Sequence, residues 1–351
     1  MGVVHKCKEI NFIISAPGLK PANKTTESLD TVAKTVELDS LATDGRLLAF
    51  VLYGKIYVID VERRSLLSTI SINAVGVFLW GDRLAAISYT PSNTTVYIYN
   101  NLTAPALAAT KSYPSRPSGA WLSDGVIYLV TAADEEVHIA AVDLTTGIDK
   151  EISIPTVLSP YIAHNPQAYM GRRGLYVASM RSGYEEAWAK GLEAIARYVP
   201  DAEAIYMAIR RKDLLWPITG LEPERARAVI EAAQEELHDK TFRDSTTIHV
   251  VDKSLRYMGH VEVSGLVRSI EEVGNLLVVA TTEDNAISQI HYDETKGAIY
   301  VWPAPAGRHV NIYLVSIPDL KVVRSLTLAE GEVARAARTA AGGIYLSTEN
   351  M

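Results

Sequence analysis

The chain has 351 residues, a net charge of -7 and a pI near 5.7, an acidic balance that excludes a general nucleic-acid binder, which needs a basic face to displace counterions. With 48% hydrophobic residues it can bury a large core, and no apolar run approaches the roughly 18 residues that a membrane span requires. The single cysteine, Cys7, excludes an internal disulfide framework, so packing alone must hold that core.

At the start, Met1–Lys6 lacks the basic-then-apolar pattern of a secretory signal. Cys7–Ala16 reads as a strand, Pro17–Leu29 as a polar loop and Val32–Leu38 as a second strand. The next stretch, Ala42–Ile72, sets the pattern for the whole chain. An acidic turn at Asp44-Gly45 leads into a β-branched and aromatic run, Leu47–Tyr53. Gly54-Lys55, a second run (Ile56–Val61), a polar turn and a third run (Leu66–Ile72) follow, which makes three strands joined by two hairpins.

This order recurs. Turn-then-strand signals stand at Ala42–Phe50, Trp80–Ser88, Leu122–Val130, Gly171–Ser179, Glu271–Ala280 and Thr339–Ser347. A second marker, a strand closed by a small polar residue, ends at Asp60, Asn100, Asp143, Asp252 and Ser316. The spacing is about 40 residues once two insertions are set aside, as one four-stranded propeller blade requires. Blades bury both faces by stacking on two neighbours, which accounts for nearly continuous Ile, Val, Leu and Tyr runs in place of clean alternation. The competing architecture, a β-sandwich, does not usually repeat one turn chemistry along its length. The fold expected is therefore an all-β propeller over residues 1–351, with six blades. The chain's end supplies two strands of the last blade, and the N-terminal strands are expected to complete it and close the ring, removing exposed edges.

Blade two spans Val75–Ser115 and blade three Ser118–Pro155. Asn23, Asn93 and Asn101 head glycosylation sequons, which matter only if the protein is exported. Blade four is interrupted over residues 183–243 by a helical insertion. Trp188, Leu192, Ile195, Ala196 and Val199 share one helical face. A second helix starts after Pro200 and carries Ile205, Ala208 and Ile209 inward. A third opens at Glu222-Pro223 and places Ala226, Val229, Ile230, Ala233 and Leu237 on its apolar stripe. Short helices are marginal alone, so they are expected to pack on each other and on a rim of the propeller. Within the insertion, Tyr206, Arg210, Arg211 and Trp216 have the chemistry of interface anchors, with the alternative that Trp216 and Tyr206 only pin the helices.

Blade five, Leu266–Leu328, holds a second insertion between Glu283 and Arg308, read as a polar loop with a stiff proline bend at Trp302–Pro305. His291, Asp293 and Glu294, with Glu283 and Asp284, present metal-ligating atom types, but a polar loop is the preferred reading.

The segment TDGRLLAFVLYGKIYVID, the helical insertion after LYVASMRSGYEEAW, and DSTTIHVVDKSLRYMGHVEVSGLV followed by GNLLVVATTEDN resemble secreted β-propeller proteins of archaea and some bacteria that are distantly related to WD-repeat proteins. In that family, too, a helical insertion precedes a Thr-x-Ile-His strand, here Thr246–His249. The likeness covers Asp39–Ser347, implies an extracellular or cell-surface setting, and transfers no catalytic, cofactor or metal residue. Two functional classes follow. One is a non-enzymatic binding or scaffold module for a protein or glycan partner. The other is a metal-dependent propeller hydrolase or lyase, which needs Asp, Glu, Asn or His converging on the central channel. The innermost segments, including Gly76–Leu79, Gly119–Leu122 and Val267–Ile270, are mostly small or apolar, which favours the binding module.

Overall fold

The computed structural model describes residues 36–350, except 134, 161, 163, 164, 201, 214, 215, 331, 341 and 342. After a short strand β1 (Val36–Glu37), the chain builds antiparallel sheets one after another, each formed from consecutive strands. The first holds β2 (Leu41–Thr43), β3 (Leu47–Leu52), β4 (Lys55–Asp60) and β5 (Ser65–Ser71). The second holds β6 (Gly76–Trp80), β7 (Arg83–Tyr89), β8 (Asn93–Asn100) and β9 (Ala106–Pro114), and the third β10 (Pro117–Ser123), β11 (Val126–Ala133), β12 (Glu136–Asp143) and β13 (Asp149–Pro155).

The fourth sheet begins with β14 (Gln167–Met170) and β15 (Gly174–Arg181). It is then interrupted by α1 (Gly183–Ala196), α2 (Ala202–Arg211), β16 (Ile218–Thr219), α3 (Pro223–Leu237) and β17 (Phe242–Arg243), and resumes with β18 (Ser245–Asp252) and β19 (Tyr257–Ser264). The fifth contains β20 (Leu266–Val273), the long β21 (Leu276–Asp293) and β22 (Ala298–Ser316), and β23 (Lys321–Glu330). A two-stranded sheet, β24 (Glu332–Ala340) with β25 (Gly343–Asn350), comes last.

The repeated turn marker is the hairpin between the first and second strands of a sheet, from Asp44-Gly45 in the first to Gly274-Asn275 in the fifth. The second marker caps the turn after the third strand. Asp143 Oδ1 accepts from the backbone N–H of Thr145 and Thr146, and Asp252 Oδ1 from those of Ser254 and Arg256. Such Asx turns hold the chain reversal without help from the core.

Period-2 alternation sends successive side chains of one strand to different neighbours. Val77, Leu79, Leu84 and Ala86 pack on the first sheet, whereas Phe78, Ala85 and Ile87 pack on the third. The same division recurs down the chain. Trp121, Tyr128 and Val130 meet Leu175, Val177 and Val251 of the fourth sheet, and Tyr176, Ala178 and Ile248 meet Val267, Leu277 and Val279 of the fifth. Val278, Ala280 and Ile312 in turn pack on Ala334 and Ile344. Each buried Ile or Val contributes about 1.5–3 kcal/mol, so consecutive apolar residues are all used.

Two expectations require correction. The insertion between Glu283 and Arg308 is not a polar loop, because β21 and β22 continue as one paired hairpin from Leu276↔Ser316 to Asp293↔Ala298, with a single irregularity at Asn285/Ala286. Trp302–Pro305 lies in β22 opposite Ala286–Gln289 rather than forming a bend. Among the described residues that stretch of β22 pairs on one side only, with β21, and such edge positions are where a sheet tolerates proline. The N-terminal strands also differ from expectation where they are described. Val36 and Glu37 pair with Leu122 and Trp121 of β10, and Val77 N–H donates to Asp39 O, so this segment crosses the first strands of the second and third sheets. Cys7–Ala16 and the first part of Val32–Leu38 lie outside the described residues.

Candidate functional site

In four-stranded antiparallel sheets linked in series, second-to-third and fourth-to-first connections fall on the same face. Here that face carries the large elaborations: the helical insertion of the fourth sheet, the hairpin tip of the fifth and the connection between β13 and β14. The helices and the hairpin form one unit with its own core. Trp188, 1% exposed, packs with Leu192, Ile195, Ala226, Val229 and Ala233, and Ala286, Ile290, Ile299 and Val301 of the hairpin complete the cluster. A Cβ added at Gly191 would sit 2.4 Å from Val301 Cγ1, so only glycine lets α1 approach the hairpin this closely. The helices thus pack mainly on the extended hairpin, which the sequence reading treats as a loop.

The base of this cap is fixed by Asp244. Its carboxylate accepts from Gly183 N–H at 2.8 Å and from Asp284 N–H at 3.0 Å, while Asp284 forms a bidentate pair with Arg308. Burial pushes the Asp244 carboxyl up to about 6.

Two adjoining cavities open beside the cap. The first, about 1020 Å3, is lined by Arg116, Glu135, Glu136, His138, Asn165 and Lys212 among others, and the second, about 760 Å3, runs between the third and fourth sheets. The wall of the first cavity is tied to the helices. Lys212 Nζ donates to Leu158 O at 3.2 Å and pairs with Glu185 at 3.1 Å, and Ser159 Oγ donates to Glu185 Oε2 at 2.5 Å. Asn165 Nδ2 donates to Ser159 O and Met180 O, and its Oδ1 accepts from Met180 N–H.

The floor of the second cavity is a row of side chains on one face of β18 and β19. Thr247 stands opposite Glu262, His249 opposite His260, and Val251 opposite Tyr257. His249 is 5% exposed, with Nε2 3.3 Å from Thr156 Oγ1 and Nδ1 3.3 Å from Tyr257 Oη. Tyr257 Oη is also 3.2 Å from His260 Nδ1. Burial, then the neighbouring His260, pushes the His249 imidazole down to about 4, so it is neutral at pH 7, while burial raises the Tyr257 phenol.

Of the residues singled out from sequence, Tyr206, Arg210 and Arg211 lie on the exposed side of α2, with Arg210 3.5 Å from Glu203. Trp216 is half-buried against the cap core, apart from them. Asn93 stands in β8 and Asn101 accepts from Thr103 Oγ1 in the following turn, whereas Asn23 lies outside the described residues. The candidate ligands of the second insertion are dispersed. Asp293 caps its own turn through Thr295 and Lys296, Glu294 pairs with Arg227, and Glu283 lies far down the hairpin, accepting from Asn311. Among the described residues no group of three or more His, Cys, Asp and Glu is placed to hold a metal ion, and no helix is long and apolar enough to cross a membrane. The groove row escapes the sequence reading, although His249 and His260 flank one predicted hairpin and their pairing follows from its turn.

Comparison with known proteins yields no match among curated proteins. Among solved structures, the chain is similar to BamB from Moraxella catarrhalis, with 10% identity over 90% of this chain and 85% of that one and a TM-score of 0.34. It is also similar to the β-propeller domain of Cps50 (Swd1) from Myceliophthora thermophila, with 10% identity over 92% and 99% of the two chains and a TM-score of 0.32. A third similar structure, an acylaminoacyl peptidase from Pyrococcus horikoshii, shows 13% identity, coverage of 89% and 42%, and a TM-score of 0.28. The beta propeller domain model matches residues 104–350, from the second sheet to the last strand, and the chain therefore belongs to the beta propeller domain family.

Proposed function

We propose that the protein is a non-enzymatic propeller module that holds a protein or glycan partner on the face bearing the cap and the groove, in an extracellular or cell-surface setting. The observation that carries this reading is the concentration of elaboration on that face. Three helices and a hairpin extended to Asp293 build a separate core there, and the helices buttress the wall of the first cavity through Glu185 and Lys212. Ring stacking needs none of these elements, and binding residues tend to accumulate on rim insertions carried by a rigid scaffold. Tyr206, Arg210 and Arg211 on α2 supply the aromatic and guanidinium chemistry of interface anchors, and Trp216 packs against the cap core apart from them. We infer in addition a ring of six blades, in which the N-terminal strand completes the β24–β25 sheet.

The test uses the intact chain and a Tyr206→Ala, Arg210→Glu, Arg211→Glu variant, compared on a glycan array and by cross-linking in native extract. One partner class retained by the parent and lost by an equally folded variant is the expected result. Equal capture by both would remove α2 from the interface, and turnover of an arrayed glycan or peptide by the parent would overturn the non-enzymatic reading.

A further inference from the structure

We propose that the groove face of β18 and β19 is a binding site for a divalent first-row transition metal ion, held by His249 Nδ1, Tyr257 Oη and His260 Nδ1. The argument starts with backbone register. In a regular strand Tyr257 and His260, three residues apart, point to opposite faces of the sheet. Here β19 carries a bulge: Val250 pairs with Gly259 and Val251 with Tyr257, leaving Met258 as the extra residue. The bulge turns Tyr257 onto the face shared by His249 and His260. Gly259 has φ of +129°, a conformation that disfavours any side chain, so the residue at that position serves the bulge.

The distances agree with a coordination sphere. A tetrahedral ion with metal–ligand bonds of about 2.0–2.1 Å separates neighbouring donors by roughly 3.3 Å. Tyr257 Oη lies 3.3 Å from His249 Nδ1 and 3.2 Å from His260 Nδ1, at or just past the long end of the hydrogen-bond range of about 2.7–3.2 Å and close to the separation that a shared ion sets. Imidazole nitrogens with one oxygen donor suit zinc, copper and nickel. For His249 the outer partner is also present. Coordination through Nδ1 places its remaining proton on Nε2, which then donates to Thr156 Oγ1 at 3.3 Å, the arrangement that orients metal-bound histidines. The phenol releases its proton to solvent on binding, and the charge of the ion offsets the phenolate. Tyr257 is 43% exposed and His260 lies at the surface, so the ion is reachable from the groove, where Glu262 stands two residues further along the same face. This site is independent of the partner-binding reading above.

Metal-stripped intact protein titrated with Zn2+ by calorimetry, and with Cu2+ by absorption spectroscopy, tests the assignment. One equivalent should bind, and the copper form should show a phenolate-to-metal band in the visible. Tyr257→Phe should abolish that band, and Tyr257→Phe and His260→Ala should each weaken zinc binding by about tenfold or more, both being substitutions of exposed groups that spare the core. Sub-stoichiometric binding, or binding that survives both Tyr257→Phe and His260→Ala, would overturn the proposal.

Discussion

At Asp244, 2% exposed, desolvation outweighs the two backbone N–H bonds from Gly183 and Asp284 that favour the carboxylate. The groups facing it are Asp284, which adds repulsion, Arg268 and Arg308, which oppose it, and Tyr184. The carboxyl is raised from 3.8 to about 6, so between those values the folded chain holds the proton that the unfolded chain has lost. Its contribution to stability is therefore full below about pH 4, declines as pH rises to 6 and is constant above. A two-unit shift corresponds to about 3 kcal/mol at most. Asp244→Asn stays neutral throughout, so its unfolding free energy in urea, relative to the parent, should shift in the variant's favour by up to about that amount between pH 4 and pH 7. A constant difference across that range would mean that the buried carboxyl titrates at its ordinary value. In the sequence Asp244 is legible only as the end of an insertion, because burial of a carboxylate depends on Gly183 and Asp284, brought to it from 61 and 40 positions away. Tyr257 is obscured in a similar way, since a bulge leaves little trace in sequence beyond Gly259.

The helices and most strands are legible because their signals are local. Pro223 follows Glu222 at the start of α3, and Ala226, Val229, Ala233 and Leu237 are buried along one stripe, as the 3.6 period dictates. The hairpin tip of the fifth sheet is not legible. Pro303, Pro305 and Gly307 are loop signals, and Trp302 is 60% exposed, yet Ile290, Ile299 and Val301 are buried by helices more than fifty residues earlier in the chain. Cap and hairpin therefore stand or fall together. Replacing residues 183–243 by a short turn would expose Ala286, Ile290, Ile299 and Val301 and strip Asp244 of the Gly183 N–H, so that variant should be soluble only at low concentration and prone to association. Removing the cap and also shortening the hairpin at Asn285 and Gly307, where register already shifts, should restore a monomeric, cooperatively unfolding propeller. Size-exclusion chromatography with thermal unfolding of the two deletions tests this. If the helical deletion alone behaves as well as the double one, the hairpin face is not held by the helices.

Across the whole molecule, the repeat is legible because each sheet reuses one turn, while the path of the N-terminal segment across the sheets is not. Val36–Glu37 pairs with β10 and Asp39 bonds Val77, contacts that no local pattern announces. The β24–β25 sheet packs Ala334 and Ile344 toward the fifth sheet, and among the described residues β25 pairs only with β24. A two-stranded sheet is marginal by itself, and an open edge of this length invites association with another chain. Cys7–Ala16, with Ile10, Phe12, Ile13 and Ile14, has the composition of a strand able to cover that edge, and nineteen residues separate it from β1, enough to span the width of a propeller. Deleting residues 1–20 should then lower the unfolding temperature by on the order of 5 °C and promote association through the last sheet. A synthetic peptide of residues 7–16 added in trans should reverse both effects. Hydrogen exchange gives the local reading: amides of Gly343–Asn350 should lose protection on truncation and regain it with the peptide. Unchanged protection and unfolding temperature in the truncated chain would show that the ring is completed without the N-terminal strand.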